Sequence, residues 1–147
     1  MNETRTFITT TAAAALTVLF LAGCAAQPKS IHAAIPTFTA GASAAAMANA
    51  ITGCKDVAAQ PVPSSAKGLS SLAACSLAGF PIQVYSWNSV ADMTPSSAFS
   101  GYGNESYHVD GATWTVIAGV DGDMAGQKTA MQKVAAAIGG KVVHVTP

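Results

Sequence analysis

The stretch that decides the fold is Ser106-Tyr-His-Val-Asp-Gly-Ala-Thr-Trp-Thr-Val-Ile-Ala118. Two runs rich in β-branched and aromatic residues flank the dipeptide Asp110-Gly111. Asp-Gly between two such runs is typical of a β-hairpin, because these residues tolerate the positive φ angles of the favoured two-residue turns. The sequence therefore predicts two antiparallel strands here, and other elements have to cover one face of them.

A helix and a strand follow this hairpin. Asp123 is a capping residue, and Gly139-Gly140 is a typical helix end. The apolar stripe between them has helical spacing and consists of Met124, Met131, Val134 and Ile138. Lys141 to Thr146 alternates as a last strand, with Val143 and Val145 on one side and Val142, His144 and Thr146 on the other.

A second hairpin is predicted upstream, from Leu72–Leu77 and Ile82–Trp87 with Gly79 in the turn. Before it, apolar residues at helical spacing begin near Thr39 and predict a helix that ends at Gly53. The prolines within Val57 to Gly68 favour a loop. A short helix is also predicted over Ser89 to Met93, capped by Asn88 and stopped by Pro95. Turns are predicted from Ser96 to Glu105.

This order of elements predicts an α+β domain over residues 39–147. Its sheet has four main strands with the helices on one face, and it loosely resembles the ferredoxin-like plait with a leading helix. The other face of the sheet has to meet water or a partner. The length suits one compact domain.

The N-terminal segment reads as an export signal. An apolar run begins at Ala12 and closes in Leu21-Ala22-Gly23-Cys24, which resembles the lipobox of bacterial lipoproteins. The run is well short of the ~20 residues of a membrane-spanning helix, so it fits a removable signal peptide. We predict a signal peptide over residues 1–23, lipidation of Cys24, and a flexible tether over 24–38 that holds the domain on the outer face of the cell membrane.

Three cysteines in an exported chain give one lipid attachment site and one pair. We therefore expect Cys54 and Cys75 to form a disulfide. The order of elements, this cysteine pair and the closing Ile138-Gly-Gly-Lys-Val-Val143 resemble small actinobacterial lipoproteins. That resemblance implies the envelope location and brings no known activity.

Composition excludes one class of partner. Charged residues are 10% of the chain, the formal net charge is zero, and the only arginine, Arg5, lies in the predicted signal peptide. We expect no nucleic-acid binding, because that needs clustered positive charge.

Catalytic and metal motifs are weak. His108 and Asp110 lie two apart on one side of a predicted strand, which is compatible with a base and its orienting acid or with a metal site. Ser64-Ser-Ala-Lys67 matches an S-x-x-K motif, but it falls in the proline loop without its partner motifs. We predict no enzyme, no cofactor and no metal.

The aromatic residues favour a binding role. Alternation leaves one set per strand for the helix-free side, and we assign to it Tyr85, Trp87, Thr113, Thr115 and His144. The leading hypothesis is a non-catalytic module that binds an envelope protein or a wall component. The alternatives are a small hydrolase or metal-binding module that uses His108 and Asp110, and an inhibitor or exclusion lipoprotein.

Overall fold

The computed structural model describes residues 34–93, 105–119 and 122–146. The chain divides into two compact units, Met1–His32 and Ala33–Pro147, and the description below concerns the second. The predicted signal peptide, Cys24, most of the tether, the stop at Pro95 and the turns over 96–104 lie outside the described residues.

The described residues form an α+β domain, as the sequence predicts, with six strands in one sheet. In chain order the elements are α1 (Ala44–Ala50), β1 (Lys55–Gln60), β2 (Leu69–Leu77), β3 (Phe80–Trp87), β4 (Ser106–Asp110), β5 (Trp114–Ala118), α2 (Met124–Ile138) and β6 (Lys141–Val145). The strand order across the sheet is β1-β2-β3-β5-β4-β6, and every neighbouring pair is antiparallel. The predicted count of four main strands is therefore wrong.

The main source of the wrong count is β1, which the sequence reading assigned partly to a loop. β1 pairs with β2 along one edge of the sheet, with an irregular register between Lys55 and Ala58 where Asp56 has a φ of 56°. The strand is largely exposed and alanine-rich, so it has little hydrophobic alternation to reveal it. Pro61, which cannot donate to a strand ladder, follows its last residue.

The connectivity matches the ferredoxin-like plait only in the C-terminal half. There β5, α2 and β6 form a crossover unit with β4 inserted between its two strands. The N-terminal strands β1, β2 and β3 instead form a meander of sequential neighbours. The described residues thus hold one split β-α-β unit, where the plait has two.

Both predicted hairpins are present. β4 and β5 pair with Asp110 opposite Thr115, and the N–H of Gly111 donates to the carbonyl of Trp114 at 2.9 Å. The turn therefore falls over Ala112 and Thr113 and not over the predicted Asp110-Gly111, neither of which has a positive φ angle. β2 and β3 are joined by Ala78 and Gly79, with φ angles of 54° and 90°. Two consecutive positive φ angles are those of a type I′ turn, which suits the twist of a hairpin.

The helices begin and end at capping residues. Asp123 accepts a hydrogen bond from the N–H of Gly126 at 2.9 Å, and Gly139 follows the last turn of α2, as predicted. α1 begins later than expected, after the cap Ser43. Ser89–Met93 contains a turn and no helix, since Ser89 bonds to the Asp92 side chain instead.

The core lies between one face of the sheet and the two helices. Its sheet side alternates along the strands and includes Ala73, Cys75, Leu77, Ile82, Val84, Val109, Trp114 and Val116, and its helix side includes Met47, Ile51, Met131, Val134 and Ile138. The predicted disulfide between Cys54 and Cys75 is confirmed, with the two Cα atoms 5.7 Å apart. It ties the end of α1 to β2.

Within the described residues, no helix combines the length and the apolar character that crossing a membrane requires.

Candidate functional site

The helix-free face of the sheet carries most of the predicted binding residues. Tyr85 and Trp87 alternate with the core residues Ile82 and Val84 of β3, so they point away from the helices. Thr115 lies opposite Tyr85 on β5. Thr113 lies beside Trp87, and the backbone N–H of Trp87 donates to the backbone carbonyl of Thr113 at 2.9 Å.

His144 does not belong to this face, which corrects the prediction. The register pairs His144 with Tyr107 and Val142 with Val109, and these residues lie on the helix side of the sheet. The His144 ring stacks on Tyr107 with centroids 4.4 Å apart, and its Nε2 lies 2.6 Å from a carboxylate oxygen of Glu105. Alternation separated the two sets of β6 correctly, but it could not tell which set faces the helices.

The main concavity on the helix-free face is a groove of about 340 Å³ between β2, β3 and the loop over residues 61–68. We call it the aromatic groove. It is lined by Pro63, Ser65, Ala66, Lys67, Leu69, Leu72, Tyr85 and Trp87.

The loop that walls the groove is held by its own turns and by its neighbour. The N–H groups of Ala66 and Leu69 donate to carbonyls three residues earlier. Gly68 has a φ of 79°, and its carbonyl accepts from the N–H of Asn88 at 2.8 Å. A Cβ at Gly68 would lie 2.4 Å from the Asp92 side chain, so only glycine fits between the two loops.

The floor of the groove is an aromatic pair. The rings of Tyr85 and Trp87 stack with centroids 6.4 Å apart and planes 15° apart. Tyr85 is half-buried and its hydroxyl donates to Gln83, whereas Trp87 is only 3% exposed. Tyr85 is thus partly exposed, whereas Trp87 lies deeper than a surface residue would.

Two buried polar atoms beside the floor have no hydrogen-bond partner among the described residues. They are Trp87 Nε1 and Thr113 Oγ1. A third such atom, Ser86 Oγ, lies on the helix side of β3, opposite Ser71. Each buried donor or acceptor left without a partner costs about 1–3 kcal/mol. Trp87 and Thr113 are neighbours on the helix-free face, so two of these three destabilising groups lie beside the groove. Such exceptions are typical of functional sites.

The charge at the groove is positive. Among the described residues that line it, Lys67 is the only ionisable side chain apart from the Tyr85 phenol, and no ion pair in this part of the chain involves Lys67. The nearby Asp92 accepts a hydrogen bond from Ser89 at 2.6 Å. The groove thus combines an apolar floor with one ammonium group at its rim.

A separate polar cluster lies further across the same face. His108 Nε2 is 3.2 Å from one oxygen of Asp110, and the Thr115 hydroxyl donates to the other oxygen at 3.0 Å. His108 and Thr115 are 6% and 1% exposed. The structure therefore brings the predicted pair His108 and Asp110 together, and it adds Thr115 as a third member.

The chemistry available to this cluster is limited. The Thr115 hydroxyl donates to the Asp110 carboxylate, but Thr115 is only 1% exposed, so its oxygen is not accessible to a substrate as a nucleophile would have to be. No group of three or more histidine, cysteine, aspartate or glutamate side chains suited to a metal occurs in the part of the chain that the structure describes. These contacts fit a hydrogen-bond network that fixes the end of the hairpin.

Of the eight described residues that line the groove, the sequence predicted only Tyr85 and Trp87 as part of a binding face. Leu69 and Leu72 belong to the strand that starts earlier than predicted, and Lys67 lies in the loop where only a rejected S-x-x-K motif had marked it. The available signal was the apolar pair Leu69 and Leu72 directly after a proline loop.

Comparison of the chain with protein-family models, with curated proteins and with solved structures found no match. The fold and the groove together define a small α+β domain with one disulfide and one aromatic concavity on its helix-free face.

Proposed function

We propose that the chain is a lipid-anchored, extracytoplasmic module of the cell envelope that binds a partner at the aromatic groove and catalyses no reaction. Cys24 is the anchor in this proposal, and the lipobox at Leu21–Cys24 supports it. One observation carries the binding role: the apolar groove, beside whose floor two buried polar atoms, Trp87 Nε1 and Thr113 Oγ1, have no partner among the described residues.

The lining of the groove favours binding over chemistry. The described residues that line it offer the Ser65 hydroxyl, the Lys67 ammonium and the Tyr85 phenol as side-chain polar groups, and none of them is a histidine or a carboxylate that could act as a general base. Stacked aromatic rings, by contrast, offer a large rigid contact area to a partner. An envelope protein or a wall component would meet that surface.

Crosslinking in cells tests this proposal. The photoreactive residue benzoylphenylalanine replaces Leu72, which lines the groove, or Ser76, which lies on the same strand and the same face outside it. We expect one discrete adduct from position 72 in the lipidated protein and none from position 76. Equal adducts from the two positions, or none from either, would contradict a partner at the groove.

The second candidate is a hydrolase or metal-binding module that uses His108 and Asp110. The 3.2 Å contact between their side chains is the observation in its favour. Purified protein that contained one zinc ion per chain, lost in His108→Ala, would establish this candidate in place of the first.

A further inference from the structure

We infer that the aromatic groove binds a small amphiphilic anion, with its acidic head at Lys67 and its apolar body on Leu72, Tyr85 and Trp87. This inference rests on the proposed binding function and names the ligand class.

The hydrogen-bonding groups at the groove set the sign of the ligand's charge. Lys67 is a pure hydrogen-bond donor with an exposed side chain. None of the described residues that line the groove carries a carboxylate. A ligand that brings acceptor oxygens, such as a carboxylate or a phosphate, complements these groups.

The aromatic floor alone would suit a different ligand. Stacked rings attract quaternary ammonium groups through their π faces. Lys67 opposes such a cation, and Asp92 in the adjoining loop is not among the residues that line the groove. The charge at the rim therefore selects an anion over a cation.

The size of the groove limits the ligand. A volume of about 340 Å³ lies at the lower end of the ~300–1,000 Å³ typical of small-molecule sites. The apolar lining from Pro63, Ala66, Leu69 and Leu72 fits a single ring or one short acyl chain.

The position of the groove indicates where such a ligand would come from. One end of the sheet is marked by residues that the strand registers place side by side: Leu69, Trp87, Trp114 and Lys141. The chain enters the domain at this end, where the backbone N–H of Gly41 donates to the carbonyl of Trp87. We call this end of the sheet the entry end. The loops beside the groove expose Val62 and Val90, which are 37% and 67% exposed. With Cys24 in the bilayer, a tether from Cys24 to Phe38 reaches at most about 50 Å, so the groove stays close to lipid.

Calorimetric titration with three ten-carbon probes tests the inference. Decanoate, decanol and decyltrimethylammonium share one chain and differ in head charge, and all are used below their micelle concentrations. The protein is the chain from Gln27 onward, which keeps the whole described core and the disulfide, since these lie between Phe38 and Val142.

We expect decanoate to bind about fivefold more tightly than decanol, the strength of a well-placed exposed ion pair, and decyltrimethylammonium to bind most weakly. Lys67→Gln should abolish the difference between decanoate and decanol. Lys55→Gln, at the opposite end of the sheet, should preserve it. Leu72→Gln should weaken all three probes.

Each result decides a separate claim. If the wild type binds decanoate and decanol with equal affinity, or if the preference for decanoate persists in Lys67→Gln, the inference that the ligand is an anion is wrong. The proposed binding function is tested separately, by crosslinking at Leu72. Absence of binding by all three probes overturns the amphiphile as ligand class.

A last arm separates two sources of the same chemistry. Displacement of bound decanoate by phosphatidylglycerol vesicles, and not by phosphatidylcholine vesicles, supports a membrane lipid as the anion. Decanoate that stays bound in both supports a free acid.

Discussion

Replacing Trp87 by alanine removes a side chain that is 3% exposed although no helix of the described chain covers its face of the sheet. Truncation of a buried tryptophan costs about 3–5 kcal/mol through lost burial and the cavity left behind. The same change also removes a buried indole N–H that has no acceptor within the described chain, and the loss of that unpartnered donor offsets about 1–2 kcal/mol of the destabilisation. We therefore expect Trp87→Ala to lower the free energy of unfolding by about 2–3 kcal/mol.

Trp87→Phe separates the two effects. Phenylalanine keeps an aromatic ring against Tyr85 but carries no N–H, so the loss of packing and the removal of the unpartnered donor nearly cancel. We expect a stability within about 1 kcal/mol of wild type. Trp114→Ala is the matched control, because Trp114 is equally buried on the helix side, and it should cost about 4 kcal/mol.

Urea unfolding followed by circular dichroism measures all three variants. A loss for Trp87→Phe as large as that for Trp87→Ala would refute the reasoning, since it would mean that the indole N–H makes a stabilising bond. A loss below about 1 kcal/mol for Trp87→Ala would show that the ring is not buried in solution.

Further predictions concern the anchor, the disulfide and the polar cluster. Cys24→Ser should abolish incorporation of labelled palmitate and release the protein into the aqueous phase of a detergent partition; retained label would remove the anchor from the account. Cys54→Ser should destabilise the domain by about 2–5 kcal/mol in urea, and a smaller change would show that the bridge contributes little. Asp110→Ala should cost about 2 kcal/mol, because it strips the acceptor from two buried partners, and unchanged stability would contradict the network. His108→Ala should leave groove crosslinking at Leu72 unchanged, whereas its loss would tie the cluster to binding.

Local chemistry made part of the fold predictable. The Asp123 cap and the Gly139-Gly140 end each depend on residues within a few positions, and each is present. The hairpin of β4 and β5 is present as well, but its turn falls over Ala112 and Thr113, beyond the predicted dipeptide. The disulfide was predictable from the cysteine count, because the expectation that Cys24 is lipidated left only Cys54 and Cys75 to pair.

Features that depend on contacts between residues far apart in the sequence could not be predicted from it. β1 is stabilised by pairing with β2 and has little apolar character of its own, so its residues read as a loop. His144 was placed on the wrong face because a period of two gives two sets without saying which meets the helices. The burial of the Trp87 side chain could not be predicted either, because it depends on residues that are close in space and not in sequence.

The groove needed the tertiary structure for the same reason. Lys67 and Tyr85 come together only because the loop after β1 folds back over β3. Their separation in sequence carries no sign of that contact.

Backbone amide chemical shifts of the chain from Gln27, recorded with and without decanoate, are the most direct test of a binding site at the aromatic groove. We expect decanoate to change the chemical shifts of residues 63–72 and 85–88 only. The control region is the shallow depression at the entry end whose lining includes Ile35, Trp114 and Gly140, and it should not respond. Shifts centred on that depression, or spread over both faces of the sheet, would contradict a binding site at the aromatic groove.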